Sequence, residues 1–183
     1  NETKYSKGWL PIDTYSKEID KICDFKNELD WEALRVKIKD TGLRHSTLSC
    51  QMPCESSSVA SNSTNGIEPI RNLVSYKKSK MGILKQIVPL VKLAKHYTIA
   101  WDIKSNHTIN NLAAVMQKFI DMGISVNHYY NPSHYENNNV PYSVIIKDIL
   151  HSNKLGIKTL YYANTNDSSD EVVSGCESGS CAI

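Results

Sequence analysis

No apolar run in this sequence approaches the ~20 residues a bilayer crossing needs, and no secretory signal pattern opens it. A membrane association is therefore not expected. There is also no dense Lys/Arg cluster, so nucleic acid is not an expected partner. The six histidines form no H-x-x-x-H or H-x-H pair, and no G-x-S-x-G is present. Spacing thus offers neither a metal site nor a nucleophile elbow. Five cysteines in 183 residues, an odd number, do not make a secreted disulfide framework. Asn-x-Ser/Thr triplets at Asn1, Asn62, Asn106 and Asn166 carry no weight without a signal peptide. With 40% hydrophobic and 22% charged residues the chain is not a disordered one. The expectation is one soluble, cytoplasmic globular domain. Its first residue, Asn1 rather than Met, suggests a chain processed or cut from something longer.

What charge there is lies unevenly. From Thr165 onward the ionisable side chains are Asp167, Asp170, Glu171 and Glu177. The net +2 therefore hides a −4 tail behind a +6 body, a balance that suits a small anionic substrate. Cys50-x-x-x-Cys54 and Cys176-x-x-x-x-Cys181 lack the two-residue knuckle spacing of structural zinc. The tail pair reads better as a redox dithiol.

Along the chain, the first thirty residues are irregular and polar around an apolar island at Trp9, Leu10 and Ile12. Asp30 is placed to cap a helix through Trp31, Leu34, Arg35 and Ile38, which Gly42 stops. His45 to Met52 partly alternates and reads as a strand ending at Pro53. A Ser/Asn-rich stretch follows, then a turn at Gly66–Pro69. Residues 72–88 suggest a hairpin or loop excursion, and Leu90 to Tyr97 a short helix. Asn111 is expected to cap a helix through Leu112, Val115, Met116 and Phe119, ended by Gly123. Pro141 opens another, with Tyr142, Ile145, Ile146, Ile149 and Leu150 on one face and Gly156 as its stop. Ile157 to Tyr162 reads as a strand, and the residues beyond as a flexible acidic tail. Helices alternating with strands predict an α/β fold with parallel strands. So few strands cannot complete a parallel sheet, so the chain reads as part of a domain.

Three constellations can carry chemistry. In Met52-Pro-Cys-Glu-Ser-Ser-Ser-Val59 a strand turns into a Ser-rich helix start, offering backbone N–H groups and hydroxyls to an anion. The same residues also suit a ligand-free capping cluster, which composition alone favours. Tyr161-Tyr162 ends the last strand; adjacent strand tyrosines commonly reflect β-propensity and burial. A regular strand would point the two rings to opposite faces, so cooperation between them requires irregular backbone. The redox alternative uses a phenol that gives up an electron only as its proton leaves. Cys176 and Cys181, separated by small residues, can close a disulfide on a mobile tether, or be incidental thiols.

Several motifs in register resemble one family. They are Gly42-Leu-Arg-His-Ser-Thr-Leu-Ser49, Met52-Pro-x-Glu-x-Ser-Ser58, Ser61-Asn-x-Thr-Asn-Gly-Ile-Glu-Pro69, Lys158-Thr-Leu-Tyr-Tyr162 and Cys176-Glu-Ser-Gly-x-Cys181. Leu10-Pro-Ile-Asp-Thr-Tyr15 and Met116-Gln-Lys-Phe-Ile-Asp121 add to them. Together they resemble the C-terminal part of the large, catalytic subunit of class Ia ribonucleoside-diphosphate reductases.

The resemblance implies an α/β fold that is the C-terminal portion of a ten-stranded α/β barrel, completed by a separate or missing N-terminal part. Residues 1–164 would belong to the barrel, and residues 165–183 would form the tail carrying the dithiol. It assigns Pro53, Cys54, Glu55, Ser56 and Ser57 to the loop that holds the substrate diphosphate, against the capping preference. Glu55 would then act through its backbone N–H. Tyr161 and Tyr162 match a stacked pair that relays a radical from the small subunit. Cys176 and Cys181 match the dithiol that re-reduces the active-site disulfide and is itself reduced by thioredoxin or glutaredoxin. The implied partners are the N-terminal part of the large subunit, the small subunit, a redoxin and a ribonucleoside diphosphate. No cofactor is expected on this chain. The di-iron/tyrosyl radical is expected in the small subunit, and nucleotide effectors on the N-terminal part. The family's thiyl-radical cysteine and active-site dithiol lie upstream of the matched region, and Cys23, Cys50 and Cys54 do not replace them. A split-gene half and a shortened chain both fit. A non-catalytic paralogue that binds the reductase and a stand-alone dithiol carrier are the alternatives.

Overall fold

A computed structural model describes residues 3–25, 28–79, 82–166 and 172–174. Its helices are α1 (Pro11–Thr14), α2 (Trp31–Thr41), α3 (Glu55–Ala60), α4 (His107–Gln117) and α5 (Tyr142–Lys154). Its strands are β1 (Val74–Ser79), β2 (Gly82–Ile87), β3 (Val126–Tyr130), β4 (Leu160–Thr165) and β5 (Val172–Ser174). The chain divides into two compact units. One comprises Asn1–Met52, Ser105–His128 and Pro141–Tyr162; the other comprises Pro53–Lys104, Tyr129–Val140 and Ala163–Ile183.

In the first unit, α2 begins and ends where expected. The Asp30 carboxylate accepts the Ala33 amide at 2.9 Å, which satisfies a first-turn donor. Gly42 follows at φ 74°, donating its N–H to Ile38. One small core joins Tyr15, Ile19, Ala114 and Leu155, and another joins Tyr5, Leu10 and Ile38. Each large buried aliphatic here contributes about 1.5–3 kcal/mol. The N-terminal segment is thus tied down rather than loose, by α1 and by short 3-10 turns at Tyr5–Lys7 and Lys17–Lys21. Lys118, fully buried, fastens its far end. Its ammonium pairs with Asp20 at 2.8 Å and donates to the Cys23 and Phe25 carbonyls, with the Tyr15 ring centroid 5.1 Å away. Every ammonium proton so finds an acceptor, which is what makes the burial tolerable. The same contact holds the Asp20 carboxyl below its usual range.

Helices α4 and α5 pack together in this unit. Helix α5 starts and stops as the sequence predicts, with Pro141 at the N-cap and Gly156 at φ 71° beyond its end. Helix α4 does not. It begins a turn before Asn111, with Asn106 at its N-cap. Asn110 and Asn111 instead reach sideways: Asn110 Oδ1 lies 2.9 Å from His128 Nε2, and Asn111 Oδ1 2.8 Å from His151 Nε2. The helix also ends at Gln117, well before Gly123, where the Gln117 amide donates to the Ile120 and Met122 carbonyls and holds a non-helical turn.

The strand expected over His45–Met52 is absent, apart from a parallel bridge between Gln51 and Ile124. Its backbone amides have another acceptor. Leu48 and Ser49 donate to the Asp121 carboxylate at 2.7 and 2.8 Å, so no ladder uses them. Strand β3, fully buried, was not legible as a strand, since Val-Asn-His-Tyr-Tyr shows no alternation. It pairs with β4, the intervening chain carrying α5. Strand β4 starts three residues later than expected. Before it, Lys158 donates to the Asp121 carbonyl and the Thr159 hydroxyl to the Ile124 carbonyl.

In the second unit, residues 72–88 are a hairpin: β1 and β2 pair antiparallel, Val74 opposite Ile87 and Ser79 opposite Gly82. The short helix expected over Leu90–Tyr97 is present as a 3-10 helix, Val91–His96. Within the segment read as a tail, Val172–Ser174 lies parallel to Tyr76–Lys78 of β1. Cys176 and Cys181 fall outside the described residues. Mixed helices and strands agree with the α/β expectation, although the three-stranded sheet is part antiparallel.

Candidate functional site

Tyr161 and Tyr162 stand next to each other in β4, yet their ring centroids are only 4.2 Å apart at an interplanar angle of 53°. Both rings are about half exposed, at 54%. Consecutive side chains of a regular strand project to opposite faces. Here the Tyr162 N–H donates at 2.9 Å to the side-chain Oδ1 of Asn127 on β3. A side-chain oxygen thus takes the N–H that a regular ladder would give to a main-chain carbonyl.

Asn127 is held from behind. It is buried, and its neighbour His128 is buried against Asn110 of α4. Burial holds the His128 imidazole below its ordinary pKa, with the nearby Asp148 opposing and His107 adding to the effect. Asp148 is buried too, taking the Asn106 amide at 2.9 Å and lying 3.5 Å from His107 Nε2. His107 stacks on His151 at 3.9 Å. The histidines unpaired in sequence therefore meet through the fold, where spacing rules do not look.

A second anchor lies beneath the start of β4. The Asp121 carboxylate also accepts the Tyr5 hydroxyl at 2.7 Å. Burial pushes that carboxyl up, but the Tyr5, Ser49 and Leu48 donors outweigh it and the net shift is downward. Gly123 admits Thr159 closely: a Cβ there would lie 2.7 Å from its hydroxyl oxygen.

In the other unit, Pro53 and Cys54 lead into α3 over Glu55–Ala60. Cys54 occupies the N-cap without a side-chain capping bond. Ser57 turns its hydroxyl back onto the Cys54 carbonyl, and Ser61 bonds the Ser57 carbonyl and the Ser63 hydroxyl. Pro53, Cys54, Glu55, Ser56 and Ser57 are contiguous at a sharp entry to a helix, as an anion loop would need. Elsewhere in this unit Tyr129, buried, gives its hydroxyl to Glu68 at 2.5 Å and packs edge-on to Trp101. Burial, then the Glu68 charge, pushes the Tyr129 phenol up. Arg71 bonds Asn164 at 2.9 Å. Asn127, Asp121 and this Tyr129 group were not singled out by sequence; a polar residue inside a buried strand, as at Asn127, is the available signal.

These features define an α/β chain with an exposed tyrosine pair bonded to a buried amide side chain and, in its other unit, a Ser-rich helix entry. The model of the ribonucleotide reductase barrel domain matches residues 1–94 and 88–163. The chain belongs to that family. It is 52% identical over its whole length to the ribonucleoside-diphosphate reductase subunit alpha of Buchnera aphidicola subsp. Acyrthosiphon pisum. To the ribonucleoside-diphosphate reductase 1 subunit alpha of Escherichia coli it is 49% identical, again over its whole length. To the subunit alpha of Enterobacteria phage T4 it is 45% identical over 92% of the chain. The chain spans about a quarter of the length of these relatives, 25%, 25% and 23% respectively. No helix among the described residues is long and apolar enough to cross a membrane.

Proposed function

We infer that this chain is the C-terminal part of a ribonucleotide reductase large subunit, which reduces ribonucleoside diphosphates to deoxyribonucleoside diphosphates. It works only with the N-terminal part and with a small subunit bearing the di-iron/tyrosyl radical. The observation that carries the reading is the contact between the Tyr161 and Tyr162 rings. With the rings in contact, a phenol gives a hydrogen atom to a neighbouring phenoxyl radical: its O–H breaks as the neighbour's forms, electron and proton move together, and the radical passes to the donor. A pair half open to solvent suits hand-over from a second protein.

The Pro53–Ser57 loop holds the substrate diphosphate through backbone N–H groups and Ser hydroxyls. The tail supplies the electrons. Cys176 and Cys181 pass two electrons and two protons to the active-site disulfide and become a disulfide themselves. A thioredoxin or glutaredoxin dithiol restores them by the same exchange. Each turnover replaces the ribose 2′-hydroxyl by hydrogen and releases water. On this reading the chain works in the cytoplasm, where redoxins stay reduced. Effector nucleotides act on the N-terminal part.

The test mixes this chain with the N-terminal part, the small subunit and a redoxin, and assays reduction of a ribonucleoside diphosphate. Activity that vanishes when the chain is omitted, and in Tyr161→Phe, is expected. A stable complex without activity overturns the reading in favour of a non-catalytic paralogue. Full activity in Tyr161→Phe overturns the relay.

A further inference from the structure

Why two consecutive strand residues can bring their rings into contact points to a residue outside the tyrosine pair itself. We propose that Asn127 is the positioning residue of the relay: by accepting the Tyr162 N–H on its side chain, it turns that peptide and brings the Tyr161 and Tyr162 rings together. In a regular ladder the N–H lies in the sheet and points at a backbone carbonyl, while side chains stand perpendicular to it. A strand side chain carries its oxygen off that plane. Meeting Asn127 Oδ1 at 2.9 Å would therefore rotate the peptide joining the two tyrosines and take their Cβ directions out of opposition.

The position of Asn127 is itself fixed. It is only 6% exposed, and the next residue, His128, is bonded to Asn110 of α4, whose Nδ2 faces the Asp148 carbonyl of α5 at 3.4 Å. The strand that carries the acceptor is therefore tied to α4 and, through Asn110, to α5. An anchored acceptor is what a contact between two half-exposed rings needs to survive solvent. The role rests on the radical-relay reading of the pair, but the geometry it claims can be measured without turnover.

The experiment places 3-fluorotyrosine at position 161 of the full 183-residue chain and records its 19F resonance. The Tyr162 ring, 4.2 Å away, should shift that resonance from its unfolded-chain value. Asn127→Leu keeps the shape and removes the acceptor, so the ring-current shift should collapse while circular dichroism stays native. Asn127→Asp keeps an acceptor oxygen and should restore the shift. In the assembled reductase, Asn127→Leu should lower kcat on the order of 10²-fold without changing the substrate KM, and Asn127→Asp should recover most of it. Should the Leu variant not fold, Asn127→Gln, whose acceptor is one methylene further out, must move the resonance. An unchanged ring-current shift in the folded Leu variant, or in the Gln variant, overturns the proposal whatever the activity does. A collapsed shift with full kcat leaves the positioning role standing and refutes the relay reading beneath it.

Discussion

Replacing Asp121 by Ala should markedly destabilise the first unit. The carboxylate takes the Tyr5 hydroxyl at 2.7 Å, the Leu48 and Ser49 amides at 2.7 and 2.8 Å, and the Ser49 hydroxyl at 3.2 Å. Leu48 is exposed and its amide can turn to water. Tyr5 is 5% exposed and Ser49 is half-buried, so these donors lose their partner with poor replacement. At 1–3 kcal/mol for each stranded donor the loss is about 3 kcal/mol, or roughly 6–12 °C in Tm for a chain of this size. Asp121→Asn, which keeps one acceptor and loses the charge, should fall about halfway. The pH dependence follows from the same contacts. The Asp121 carboxyl is held below its ordinary value, so its contribution is present above about pH 4 and is lost as pH falls through the folded value. Tyr5 is pushed the other way, by burial and then by Asp121, so its contribution is lost as pH rises above about 10. Thermal melts of the wild type, Asp121→Ala and Asp121→Asn across acid pH read all of this. A Tm drop below about 2 °C in Asp121→Ala would refute the reasoning, since it corresponds to about 1 kcal/mol or less. So would an acid-induced loss that persists undiminished in Asp121→Asn.

Gly123→Ala sets a methyl 2.7 Å from the Thr159 hydroxyl oxygen, which is bonded to the Ile124 carbonyl and cannot swing away freely. It should cost about 1–3 kcal/mol in urea unfolding, and Gly123→Ala combined with Thr159→Ser should recover part of that. His151 is held below its ordinary pKa by burial first and then by His107, and His128 by burial. A base with a depressed folded pKa gives stability that is complete above about pH 6.5 and lost as pH falls below it. The urea midpoint should therefore drop between about pH 7 and about pH 5.5, and His151→Gln should flatten that drop. An equal slope in the variant would remove His151 from the account.

Helices α2 and α5 were legible because their signals are local. Asp30 sits three residues from the amide it caps, and Gly42 and Gly156 adopt the positive φ that ends a helix without penalty. The misread segments share the opposite property. His45–Met52 alternates like a strand, but its Leu48 and Ser49 amides go to Asp121, 73 and 72 positions away in sequence. Asn111 resembles a cap until His151, 40 positions on, takes its side chain. Gly123 resembles a helix stop, whereas its space is needed for Thr159. In each case a polar group or a glycine carried two readings, one local and one distant, and the distant partner won because it is fixed in the fold.

The tyrosine pair shows the same rule acting on the candidate site. Its place in a strand was readable, although the pair falls near the start of β4 rather than at its end, and so was the condition on it: rings that meet from consecutive strand residues demand irregular backbone. The means was not readable, because it is a hydrogen bond from Tyr162 to a side chain 35 positions earlier. Asn127 occurs in a five-residue run buried throughout, where a hydrophobic pattern assigns an amide no purpose. A buried amide must nonetheless spend its hydrogen bonds somewhere. Here Asn127 spends one on the strand that carries the redox-capable side chains, and its neighbour His128 spends one on α4. Burial of polar residues beside an exposed aromatic pair is costly for stability alone. Bonded as they are, these groups avoid that cost, and the bond from Asn127 is the one that reaches the tyrosine strand.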